Sequence, residues 1–217
     1  ATSFDACGDL WGRAAALTEL ARIAFRRGER GTLALAEQAV AASRTARNQW
    51  QAVQAMGLIV EICRAQGDLD RASQLGAEAA ALAYEIGQHV SAAWILRDLG
   101  HVALLQDDPS AAARHFAEGY DIFRKREFGH GTACSLVGLA AVAASEGHMT
   151  ASTRLLGRVE HLLDQVGTSL PEGDADVARA VRDTSRSALG VARFSSLLEE
   201  GRTTDLVDPM TELFTRK

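Results

Sequence analysis

The sequence predicts an all-α fold, a solenoid of stacked antiparallel helix hairpins, on three observations: its composition, the spacing of its turns and the apolar columns that repeat with them. Nearly half of the 217 residues are apolar (47%), yet only 6% are aromatic. Abundant alanine with few aromatics favours helices packed through small side chains over a sheet of β-branched and aromatic residues. The turns Gly28-Glu29, Gly67-Asp68, Asp107-Asp108-Pro109 and Gly147-His148 begin 39, 40 and 40 residues apart. Each follows one helical apolar pattern and precedes another, as the turn inside a helix hairpin does.

The columns align at that spacing. Leu17, Met56, Leu96 and Leu136 form the first, and Leu20, Ile59, Leu99 and Leu139 follow three residues on. Beside them lie the small column Ala21, Val60, Gly100 and Ala140 and the column Ile23, Ile62, Val102 and Val142. Offsets of three and four put all of these on one stripe of the first helix of each hairpin. The second helices carry Ala72, Ala112 and Ser152, then Gly76, Phe116 and Leu156, then Ala79, Gly119 and Val159. Small residues let the two helices of a hairpin approach, large ones fill the space between hairpins, and no hairpin buries its apolar face alone.

Taken in order, the pattern places helices at 9–27, 31–46, 48–66, 69–86, 88–106, 109–127, 129–146 and 149–167, about four repeats of two helices each. Ser169-Leu170-Pro171-Glu172-Gly173 breaks the pattern. Residues 173–200 then read as two shorter helices, with a last one after Asp208-Pro209, as caps on the open end of the stack. The expected organisation is one continuous solenoid, repeats over 1–167 and capping helices over 168–217.

The large-small pair Leu99-Gly100, the Gly67-Asp68 turn and the following Ala72 resemble the tetratricopeptide repeat. The resemblance implies a right-handed superhelix, and units longer than the family's usual 34 residues or so resemble its long-helix variant. That variant is typical of large ATP-dependent bacterial transcription regulators of the maltose-regulator and LuxR-like groups, where the repeats follow a STAND-class ATPase. The C-terminal third adds a narrower likeness. Asp121-Ile122-Phe123-Arg124, Gly138-Leu139-Ala140-Ala141-Val142-Ala143, Arg154-Leu155-Leu156-Gly157, Leu170-Pro171, Ala188-Leu189-Gly190, Phe194 and Glu200-Gly201-Arg202 look like the closing segment of such regulators in actinobacteria. What this implies is a sensor or interaction arm that binds a protein, peptide or small ligand on its concave surface and modulates ATPase and DNA-binding parts outside this sequence. The rival reading is a stand-alone adaptor that brings two proteins together.

Other classes fit less well. A net charge of -5, with both signs interspersed, argues against a nucleic-acid surface. Cys7, Cys63 and Cys134 are odd in number and widely spaced, so neither a disulfide framework nor a zinc site is expected, and a reducing, cytoplasmic location fits best. No apolar run approaches the roughly 20 residues that cross a bilayer, and the N-terminus lacks the regions of a signal peptide. The chain does not begin with methionine and reads as a piece of something longer. Phosphate-binding, dinucleotide and nucleophile-elbow motifs are missing. His89, His101, His115, His130, His148 and His161 never fall four apart on one helix, as a metal-binding pair would. No catalytic residue, metal site or cofactor is expected, and Cys63 and Cys134 are expected in the core.

The offsets left over by the apolar columns assign the concave face. They hold Thr18, Arg22, Phe25 and Arg26 in the first unit and Gln54, Glu61 and Arg64 in the second. The third gives Trp94, Arg97, His101 and Leu104, and the fourth Cys134, Val137, Ala141 and Ser145. Arg22, Arg26, Arg64 and Arg97 with His101, Trp94 and Phe25 suit an acidic peptide or an anionic small ligand, because guanidinium forks pair with carboxylates and aromatics anchor apolar groups. The competing reading has these arginines solvated and paired with Glu19 and Glu61. The pattern does not resemble the lysine and asparagine clamp of chaperone-binding tetratricopeptide domains. Trp11 and Trp50 stand where Val90 and His130 stand later, and are expected as buried anchors between repeats, with exposed pairing to a partner as the alternative.

Overall fold

A computed structural model describes residues 9–203. Among them are ten helices and no strand: α1 (Leu10–Arg26), α2 (Thr32–Thr45), α3 (Gln49–Gln66), α4 (Leu69–Glu85), α5 (His89–Leu105), α6 (Pro109–Lys125), α7 (Gly129–Ser145), α8 (Met149–Val166), α9 (Glu172–Leu189) and α10 (Val191–Thr203). The first eight fall within two residues of the limits read from the sequence, and α9 and α10 occupy the stretch where two shorter helices are expected. The helix expected after Pro209 lies outside the described residues.

One turn geometry repeats along the chain. A residue with left-handed backbone stands at 47, 67, 87, 107, 127, 147 and 167, one every twenty residues. At each, the helix ends on the bond of a Schellman turn, from the N–H one residue past the left-handed position to a carbonyl five back, as from Asn48 to Ser43, Asp68 to Cys63 and Phe128 to Phe123, all at 2.9 Å. Glycine fills four of these positions; Arg47, Asp107 and Glu127 fill the rest. The new helix is often capped at once: the side chains of Asn48 and Asp108 accept from the N–H groups of Gln51 and Ala111, and Pro109 occupies the first turn of α6.

The chain divides into two compact units, Ala1–Val102 and Ala103–Lys217. In the N-terminal unit, α1 pairs with α2 and α3 with α4, α2 also packs on α3, and α1 lies directly against α3. The second helices α2 and α4 do not pack on each other. First helices therefore sit edge to edge while second helices splay. Leu17, Met56 and Leu96 are buried, as are Ile59, Leu99 and Ile62. Leu99 lies so close over Gly76 of α4 that a Cβ there would fall 2.6 Å from it. Leu20 and Ile23, in the same columns of α1, are instead 46% and 47% exposed, against the expectation that the columns face neighbouring helices. In later repeats a second helix of the preceding hairpin covers this side, and among the described residues no helix precedes α1.

In the C-terminal unit, α7 is the central helix, buried throughout 131–140 and flanked by α6, α8 and α9. Phe116, Leu136, Leu139, Leu155 and Leu156 form its core, with the Phe116 ring seated on Gly138, where a Cβ would come within 2.2 Å. The cap α10 packs on α8 at closest range through Gly157 and Gly201.

Candidate functional site

Stripes on the first helices build the candidate face of the N-terminal unit. Spacings of four, three, four and three place Trp11, Ala15, Thr18, Arg22 and Phe25 on one line of α1, and Trp50, Gln54, Gly57, Glu61 and Arg64 on the matching line of α3. On α5 the line runs Val90, Trp94, Arg97 and His101. Hydrogen bonds join the helices along this face. The Gln51 amide donates to the Thr18 hydroxyl at 2.7 Å, tying α3 to α1, and the Gln54 amide donates to the Ser91 hydroxyl at 2.9 Å, tying α3 to α5.

The tryptophans correct the expectation of buried anchors. Trp11 is 62% and Trp50 50% exposed, and each begins the stripe that carries the arginines. Trp11 and Trp50 stand in the first turns of α1 and α3. Their spacing to Arg22 and Glu61, eleven residues or three turns, is the sequence signal that assigns them to this face.

The charged residues form one cluster. Arg97 lies 4.9 Å over the Trp94 ring and pairs with Asp98 at 2.8 Å, and both partners' side chains are nearly buried. Glu61 sits among Arg97, Arg64 and Arg22. Burial pushes its carboxyl above the ordinary glutamate value of 4.5, neighbouring Asp98 pushes the same way, and Arg97, Arg64 and Arg22 pull it back without prevailing. Arg22 also approaches Glu19 at 3.6 Å. The Nε of Arg64 is buried without a hydrogen-bond partner. Arg26 is exposed and Phe25 half-buried at the end of α1. His101 is buried beneath the face, only 6% exposed, and Arg97 is committed to Asp98. Arg22, Arg26 and Arg64, with Trp11, Trp50 and Trp94, therefore make the accessible part of the site.

Of the fourth set of residues assigned to the face, all of them in the C-terminal unit, Ala141 is half-buried and Ser145 exposed. Cys134 and Val137 are fully buried, because α9 packs on α7 and covers that side. Leu104 packs against the core of the C-terminal unit. Cys63 is buried as well, and burial pushes its thiol up, away from the reactive thiolate. Among the described residues no three His, Cys, Asp or Glu side chains gather as a metal site, and no helix is long and apolar enough to cross a membrane.

Residues 51–125, from α3 to the end of α6, match the tetratricopeptide repeat family. No curated protein matches the chain significantly. The match covers about a third of the chain and supports tetratricopeptide repeats in that segment, a fold that generally serves protein–protein interaction.

Proposed function

We propose that this chain is a protein-interaction module that takes an acidic peptide segment across the first helices α1, α3 and α5. Arg22, Arg26 and Arg64 receive carboxylates, and Trp11, Trp50 and Trp94 offer flat apolar surfaces to the side chains between them. The observation that carries the reading is the cluster around Glu61. Arg22, Arg64 and Arg97 gather about this one carboxylate on the face that carries the exposed tryptophans, so guanidinium donors and apolar surface stand together where a ligand's carboxylates and side chains can meet them. The Arg97–Asp98 pair, stacked on Trp94, holds that part of the face rigid before a ligand arrives.

The resemblance of the C-terminal third supports a finer setting, the sensor arm of a cytoplasmic bacterial transcription regulator of the LuxR-like, STAND-ATPase kind. Ligand spanning several repeats would favour one arrangement of the stack over another, and only that difference in affinity passes to a neighbouring part. The same surface serves a stand-alone adaptor equally well. A panel of acidic peptides raises the melting temperature of the parent and not of the Arg22→Ala/Arg64→Ala variant; equal shifts in both, or none in either, refute the site. Ligand-dependent association with a STAND-type ATPase region separates the arm from the adaptor, since an adaptor shows none.

A further inference from the structure

We propose that the groove between α2 and α4 is a second docking site, for an acidic segment of a partner protein that seats an apolar side chain between Met56 and Leu82 and places its carboxylates on Arg44 and Arg47.

The groove follows from the splay of the second helices. Because α1 packs on α3 while α2 and α4 stay apart, α3 is left as the floor of a trough with the second helices as walls. Two adjoining cavities of about 360 and 620 Å³ occupy it and share Arg44 and Glu78. The larger is within the range that binds small ligands or several side chains. Met56 lies on the floor of the larger cavity and Leu82 on its α4 wall, while Ile59 lies on the floor of the smaller.

Charge distinguishes the two ends. At the smaller cavity the Arg71–Glu37 pair bridges α4 to α2 and neutralises itself. At the larger, Arg44 and Arg47 stand together on one wall, and among the described residues neither has an ion-pair partner. Arg47 also occupies a left-handed position, φ 51°, that glycine fills at four of the seven matching turns. An arginine there costs backbone strain of about 1 kcal/mol, so its presence is not explained by stability, and it sets a guanidinium at the mouth of the groove. Glu78 on the facing wall adds polarity: carboxylates of the segment meet the α2 wall, and its donors meet α4. The same trough recurs eighty residues on, between α6 and α8 over α7, with Arg124, Leu136 and Leu162 in the places of Arg44, Met56 and Leu82. There Glu127 replaces Arg47 and Arg158 replaces Glu78, so the repeat builds the trough while the wall charges set which segment each accepts.

The experiment is selection of a random twelve-residue phage-displayed library on the full chain, followed by anisotropy titration of the enriched peptides against variants. Peptides that pair an apolar residue with aspartate or glutamate, bind the parent, and lose at least tenfold in affinity on Arg44→Glu/Arg47→Glu support the site. The same peptides weaken with Leu82→Lys and keep their affinity for Arg22→Ala/Arg64→Ala, which separates this groove from the first-helix face. Should the double reversal disturb folding, Arg44→Gln/Arg47→Gln gives the deciding titration. No enrichment of acidic peptides, or enriched peptides that bind every groove variant as they bind the parent, overturns the proposal.

Discussion

Replacing Gly157 or Gly201 by alanine tests whether α10 is a built-in cap. A Cβ on Gly157 would fall 2.1 Å from the carbonyl oxygen of Leu198, and one on Gly201 would fall 2.0 Å from that of Arg154. Both obstructions are backbone, so no rotamer change relieves them. The helices must part by roughly an ångström, and close-packed interiors tolerate that poorly. Overpacking of this kind costs about 1 to 3 kcal/mol, and backbone obstruction puts these two at the upper end. The loss has a ceiling, because α10 can detach instead. Detachment exposes Leu197 and Phe194, which are buried against the rest of the unit, at about 1.5 to 3 kcal/mol each, and frees Arg202 from Glu160 and Asp164. The expected loss for either alanine is therefore about 3 kcal/mol, read as a shift in the urea midpoint, with faster amide exchange confined to α10 and the facing turns of α8. Gly173→Ala is the control, since nothing lies within 4 Å of a Cβ there, and it should hold or raise stability by up to about 1 kcal/mol. If Gly157→Ala and Gly201→Ala match that control and α10 stays protected, the close crossing is not what holds the cap.

Three further outcomes follow from particular residues. Glu61 has a folded pKa raised above its ordinary value, so the folded state holds the proton longer than the unfolded one and stability falls as pH rises through that window. Glu61→Gln should lack this decline, be at least as stable as the parent at neutral pH, and bind acidic peptides more tightly; urea titrations from pH 4 to 8 decide it, and a variant less stable at neutral pH contradicts the assignment. Asp98→Asn removes the carboxylate paired with the nearly buried Arg97 at 2.8 Å and should cost about 3 kcal/mol in chemical denaturation; a neutral result would mean that Glu61 or solvent compensates Arg97. Glu127→Gly relieves a left-handed φ of 54° and should gain about 0.5 kcal/mol, whereas Gly67→Ala, at φ 79°, should lose about 1 kcal/mol; calorimetry finding the opposite order refutes the shared turn geometry.

Most of the fold is legible in the sequence because helix period and repeat period reinforce each other: Leu17, Met56, Leu96 and Leu136 mark the same buried point four times. Turns at 47 and 127 were harder to read, since Arg47 and Glu127 sit where the left-handed turn usually announces itself with glycine. The site is legible only in part. Stripe offsets identify Arg22, Arg26, Arg64 and Arg97, but periodicity reports direction on one helix and not what lies opposite. Hence Trp11 and Trp50, large and apolar, read as core although each is half exposed or more, and Cys134 and Val137 read as surface although α9 lies over them. Commitment of Arg97 to Asp98 depends on two side chains meeting below the face, for which adjacency in sequence gives no sign.

The central claim is tested most directly by following the tryptophan indole N–H resonances of the full chain during titration with an acidic peptide from the thermal-shift panel. Trp11, Trp50 and Trp94 are expected to move together, saturate at one affinity, and lose the response in Arg22→Ala/Arg64→Ala. Indoles that stay still while the peptide binds, or that respond equally in the arginine variant, would contradict it.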